Sequence, residues 1–134
     1  MSTSTPLGWT LTETGGGARD NEQYAADNGA SNTGDTYSYG STASSDRAFG
    51  GLRSGTLNPT VGAQFQNDTG VVINTLSIAY TGEQWRLGTA NRNDQLTFKY
   101  SLDATSLSTG TWLPVPALDF VTPNPGAATG ALGR

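Results

Sequence analysis

The stretch Val61-Gly62-Ala63-Gln64-Phe65-Gln66-Asn67-Asp68-Thr69-Gly70-Val71-Val72-Ile73-Asn74-Thr75-Leu76-Ser77-Ile78-Ala79-Tyr80 decides how the chain is read. Val61, Ala63 and Phe65 alternate with small or polar neighbours, and Leu76, Ile78 and Tyr80 repeat the pattern after the Asn67-Asp68-Thr69-Gly70 turn. Alternation at a period of two marks strands with one buried face. A short loop closing on glycine, which takes positive φ without steric cost, joins them as a β-hairpin.

Upstream, Trp9 and Leu11 alternate with Thr10 and Thr12, predicting a strand over 8–14 that ends at Gly15-Gly16-Gly17. Residues 18–34 are polar and aperiodic and read as a long loop with one apolar anchor, Tyr24. Residues 35–40 set Tyr37 and Tyr39 on one face, and 47–53 place Phe49 and Leu52 about Gly50-Gly51, a pair that marks a bulge or a close backbone approach.

Downstream, 84–87 centres on Trp85, and 95–100 alternates Leu96, Phe98 and Tyr100 to make a second hairpin. Trp112, Val115, Leu118 and Phe120 form a last strand region, irregular because Pro114 and Pro116 have no backbone N–H to donate. About eight short strands and no helical periodicity predict an all-β fold, a two-sheet antiparallel β-sandwich of jelly-roll type. The domain spans 1–122, with 123–134 as a flexible tail or linker, and no closing strand matches the first, which leaves one edge incomplete.

The composition narrows the chemistry. A chain of 134 residues with a net charge of −4 and a single lysine, Lys99, is poorly suited to neutralising phosphates, so no nucleic-acid partner is expected. Absence of Cys and His removes thiolate metal sites, zinc chemistry and a Ser-His-Asp triad. No run approaches the roughly 20 apolar residues of a membrane span, and Met1-Ser2-Thr3-Ser4-Thr5 lacks the basic and apolar regions of a secretory signal. The Gly/Ser/Thr/Asn-rich, lysine-poor, cysteine-free composition fits a secreted or cell-surface bacterial protein.

Two stretches, 32–41 (Asn-Thr-Gly-Asp-Thr-Tyr-Ser-Tyr-Gly-Ser) and 45–55 (Ser-Asp-Arg-Ala-Phe-Gly-Gly-Leu-Arg-Ser-Gly), carry a family resemblance together with Thr81-Gly82-Glu83-Gln84-Trp85-Arg86, residues 96–107, and 110–120. Over most of 8–125 the chain resembles a jelly-roll module of secreted bacterial multidomain proteins, found beside lamin-tail and nuclease-type domains and broadly similar to MAM domains. The resemblance implies a non-catalytic accessory domain without a well-defined ligand. Members usually continue into a further strand pair with an acidic ending, which this sequence lacks. Either the chain is part of a longer polypeptide, or another copy or a complementing chain supplies the strands.

Several constellations are candidates for function. Glu83, Trp85 and Arg86 combine a carboxylate, an indole and a guanidinium of the kind that stack on and hydrogen-bond to sugars, against the alternative of Trp85 as core. Tyr37 and Tyr39 form either a solvent-facing aromatic stripe or core, and Asn91 and Arg92 lie in a polar turn at a binding rim. Trp9 and Trp112 fill core or form a platform. Asp20, Asp27 and Asp35 make the long loop rich in hard oxygens, and calcium is the one cofactor that such a loop would hold, the alternative being solvated carboxylates. Asp46 with Glu83, or Asp94 with Asp103, are the carboxylate pairs a glycosidase would need, but eleven carboxylates make such pairs common. The expectation is a non-catalytic extracellular module that contacts a glycan or surface polymer. The alternative is a structural subunit of an assembly, self-associated or completed by strand donation.

Overall fold

A computed structural model describes residues 1–132, and the last two residues of the expected tail, 133 and 134, lie outside the described residues. Among the described residues the protein is all-β apart from one 3-10 turn at Pro116–Leu118. In chain order the strands are β1 (Trp9–Thr14), β2 (Tyr24–Asp27), β3 (Asp35–Tyr39), β4 (Ala48–Leu52), β5 (Asn58–Ala63), β6 (Arg86–Leu87), β7 (Gln95–Leu96), β8 (Lys99–Tyr100), β9 (Leu113–Pro114), β10 (Phe120–Val121) and β11 (Gly130–Ala131). They pair into small sheets: β1-β5, β2-β3-β4, β10-β7, β8-β9 and β11-β6. Every ladder is antiparallel except β2-β3, which is parallel.

The expected strands at 8–14, 35–40 and 47–53 form. β3 and β4 pair without a break from Asp35 opposite Leu52 to Tyr39 opposite Ala48, so Gly50-Gly51 is not a bulge. Gly51 instead permits a close approach, since a Cβ there would sit 2.4 Å from Cγ of Pro59 on β5.

The structure corrects the hairpin expected over 61–80. β5 pairs with β1, Trp9 opposite Ala63 through Thr14 opposite Asn58, and the chain from 64 to 85 carries no strand. Three further expectations change, the first being the second hairpin: β6 pairs with β11, β7 with β10 and β8 with β9, so 84–87 and 95–100 do not pair with each other. Part of the loop 18–34 becomes β2, seated beside β3 and tied at its start by Tyr24 bonding to Ser2. The tail is not free in its described part: β11 pairs with β6, and Leu132 N–H donates to the Trp85 carbonyl at 3.0 Å.

The principal apolar cluster joins Tyr37, Tyr39 and Trp85, with Ala25, Ala48 and Leu52 packed against it. Beside it lies a buried polar knot. Glu13, 3 % exposed on β1, accepts from Thr36 N–H (3.0 Å) and Thr36 Oγ1 (2.8 Å) on β3, and from the N–H groups of Asn21 and Glu22 (both 3.1 Å). Thr36 N–H is shared with Asp35 Oδ1 at 3.0 Å, so two carboxyl groups converge on one donor. Asp35 is wholly buried, and its other oxygen meets Arg19 at 3.1 Å. Among the described residues no buried side-chain polar atom lacks a partner, as the desolvation cost of an orphan requires.

Candidate functional site

The segment Glu83-Gln84-Trp85-Arg86 is held from four directions. The Trp85 ring lies parallel to Tyr39, with centroids 6.3 Å apart, and Tyr39 packs on Tyr37 at 5.3 Å. Trp85 Nε1 donates to Glu83 Oε2 at 2.7 Å, which satisfies the indole and fixes the carboxylate. The Gln84 amide makes a pair of bonds to Asn124, donating to its carbonyl (3.0 Å) and accepting its N–H (2.9 Å), much as a backbone ladder would. Arg86 Nη1 donates to the carbonyls of Gly29 and Ala30, both at 3.1 Å. Gly29 has φ of 91°, and a Cβ there would lie 2.0 Å from the Trp85 carbonyl oxygen, so only glycine lets loop and motif meet this closely.

Trp85 and Glu83 form one side of a cleft of about 340 Å³ completed by Ser41, Ser44 and Asp46. The opposite wall is the loop between β3 and β4. Ser44 N–H donates to the Ser41 carbonyl at 3.0 Å, and the Ser44 hydroxyl both donates to the Asp46 carbonyl (3.0 Å) and accepts the Asp46 N–H (3.1 Å). Ala43 adopts the left-handed region, φ 62°, to close this turn. At the base of the loop Arg47 bonds to the hydroxyl and carbonyl of Ser38. The cleft is lined by two serines and two acidic residues beside an indole that is 9 % exposed and belongs to the core cluster, the alternative reading of Trp85, and the Ser44 hydroxyl and Glu83 Oε2 are already engaged.

Tyr37 and Tyr39 lie in the interior, which corrects the idea of a solvent-facing stripe. The Tyr37 hydroxyl bonds to Ser31 Oγ and donates to the Thr33 carbonyl, both at 2.8 Å, and burial raises the proton affinity of both phenols above the ordinary value. Arg86 is likewise turned onto backbone carbonyls and away from the role of ligand contact. Asn91, φ 56°, and Arg92 are exposed and outside the cleft, Arg92 being paired with Asp94 at 2.6 Å.

The loop carboxylates are also separated by task. Asp20 accepts Gly16 N–H at 2.7 Å, Asp27 accepts the N–H groups of Gly29 (2.7 Å) and Ser31 (3.2 Å), and Asp35 faces Arg19. Among the described residues no group of three or more such side chains is placed to hold a metal ion. Trp9 is exposed at a sheet margin, edge-on to Phe49, and half-buried Trp112 donates its N–H to the Thr109 carbonyl.

Sequence reasoning did not assign Ser41 and Ser44 to the site. The only signal for this wall was Asp46, visible as a possible partner of Glu83. Among the described residues no helix is long and apolar enough to cross a membrane. Compared with protein-family models, curated proteins and solved structures, the chain matches none.

Proposed function

We propose that the protein is a non-catalytic extracellular binding module that takes a sugar of a glycan or surface polymer in the Trp85 cleft. The observation that carries this reading is the convergence of Ser41, Ser44, Asp46 and Glu83 around the clamped indole. Sugar hydroxyls are both donors and acceptors, and carboxylates with serine hydroxyls complement them. The volume falls at the lower end of small-ligand sites, about 300 Å³ and upward. Glu83 Oε2 is engaged as acceptor to the Trp85 indole N–H, and this supports a positioning role over catalysis.

The resemblance to secreted jelly-roll modules supports the non-catalytic, accessory part of this reading, and a two-sheet sandwich at a bacterial surface is the proposed setting. Glycan-array and polysaccharide pull-down binding tests it. Binding to a defined set of glycans is expected to fall at least about tenfold in Asp46→Ala, a loss of about 1.4 kcal/mol or more. Uniform absence of binding by the folded protein would overturn it.

A further inference from the structure

From Phe65 to Gln84 no backbone-to-backbone hydrogen bond forms among the described residues, although this stretch holds the strongest strand pattern in the chain. Its apolar side chains stand in the open: Phe65, Val71, Val72 (81 % exposed), Ile73, Leu76 (69 %), Ile78 and Tyr80. The segment follows Gln64, whose N–H donates to the Gly8 carbonyl at 2.8 Å, folds back on itself at Asn67 and is fastened again at Tyr80. Asn67 Nδ2 donates to the Val71 carbonyl at 2.8 Å beside Gly70 in the left-handed region, and Tyr80 donates its hydroxyl to the Leu118 carbonyl and stacks on Phe98 at 6.0 Å. Residues 72–79 are therefore presented with open N–H and C=O groups, the condition under which strands recruit other strands.

We propose that residues 71–80 are a homotypic docking strand, through which two copies of this chain pair antiparallel about a twofold axis at Leu76. This register sets Val72 of one copy opposite Tyr80 of the other, with Leu76 meeting Leu76, and the contact closes on itself as a twofold requires. Val72, Leu76, Ile78 and Tyr80 then share one face of the joined ladder.

Two observations select a second copy as the occupant. First, residues 69–82 carry no charge in a chain of net charge −4, so two copies meet here without opposed carboxylates, Asp68 and Glu83 falling outside the ladder. Second, seven large apolar side chains of one segment, Phe65, Val71, Val72, Ile73, Leu76, Ile78 and Tyr80, are between 39 % and 83 % exposed, the kind of apolar surface that an interface with a second copy would cover. Exposed apolar residues gathered in one segment, as opposed to scattered singly, mark interaction surfaces. The inference is independent of the sugar cleft, because glycan binding and self-pairing use different residues.

The test is sedimentation velocity of the full chain over a concentration series, together with hydrogen exchange of the 72–79 amides. A monomer–dimer equilibrium is expected, with these amides gaining protection as dimer forms. Leu76→Lys, at an exposed position, is expected to weaken dimerisation at least tenfold, and Val72→Lys to act in the same direction. Near-UV circular dichroism of the tryptophans checks that both variants fold. Any of four results would overturn the proposal: a monomer at every concentration, a dimer indifferent to both substitutions, growth beyond a dimer, or 72–79 amides already protected in the monomer.

Discussion

The amino-terminal part of the chain, from β1 to β5, and the part from residue 64 onward solve the same problem differently. In the first, strands of four to six residues pair along their length, and a buried carboxylate stitches β1 to β3 and to the loop before β2. In the second, every strand has two residues, and side chains stand in for missing ladders: Gln84 on Asn124, Asp119 on Phe98 N–H, Asn93 on Thr122. The difference teaches where cooperativity resides. A long ladder with a buried polar knot holds itself together, whereas a chain fastened by single side chains leaves its best strand sequence open.

Removing the knot is expected to have the largest effect. Glu13→Gln turns an amide NH2 toward donors that now meet a carboxylate, and a cost of about 3 kcal/mol in denaturant unfolding is expected at pH 7. The pH dependence has a definite sign. Burial alone would raise Glu13, but the hydrogen bonds from Asn21 and Thr36 outweigh it and hold the carboxyl below its ordinary 4.5. Its contribution is therefore full above pH 4.5 and is lost as pH falls through the lowered value, so the penalty of Glu13→Gln shrinks in acid.

Asp35 runs in the opposite direction and sharpens the comparison. Burial, followed by the charge of Glu13, raises its carboxyl above the ordinary 3.8 despite Arg19. Its neutral form is the one the fold prefers, so its contribution is full below pH 3.8 and is lost as pH rises through the raised value. Asp35→Asn, which keeps the shape without the charge, is expected to stabilise by about 1 kcal/mol at pH 7. That gain disappears below pH 3.8 in the same unfolding measurement, and a loss at neutral pH would mean that the Arg19 pair dominates.

In the second region an effect smaller than that of Glu13→Gln is expected. Gln84→Ala removes two bonds to Asn124 and should cost about 1–2 kcal/mol globally. Limited proteolysis should show faster cleavage within 123–132, because β11 is held to β6 by few other bonds. Equal cleavage rates in the two proteins would show that the ladder alone fixes this segment.

How far the sequence was legible follows the same division. Trp9 and Leu11 announced β1, but a lone glutamate among threonines gave no hint that Glu13 is buried or of its partners. Tyr37, Tyr39 and Trp85 were visible as aromatics in alternating blocks, but whether such rings face core or solvent depends on which sheet covers them. β2 was hidden because Tyr24-Ala25-Ala26-Asp27 has one large apolar residue and pairs in parallel with β3, a contact no local pattern announces. The hairpin at 61–80 failed for two further reasons: Val61 pairs with β1, and the alternating residues 72–80 meet no partner and form no strand, because alternation marks what a ladder would accept and not whether a neighbour is in place. Ser41 and Ser44 entered the cleft through a turn whose composition resembled any polar loop.

Residue-resolved hydrogen exchange on the dilute monomer tests this division most directly. Slow exchange is predicted for amides in β1, β3, β4 and β5 that bond across their ladders, and exchange near the unstructured rate for 72–79. Protection at 72–79 equal to that in β1 and β5, with the protein monomeric, would contradict the account.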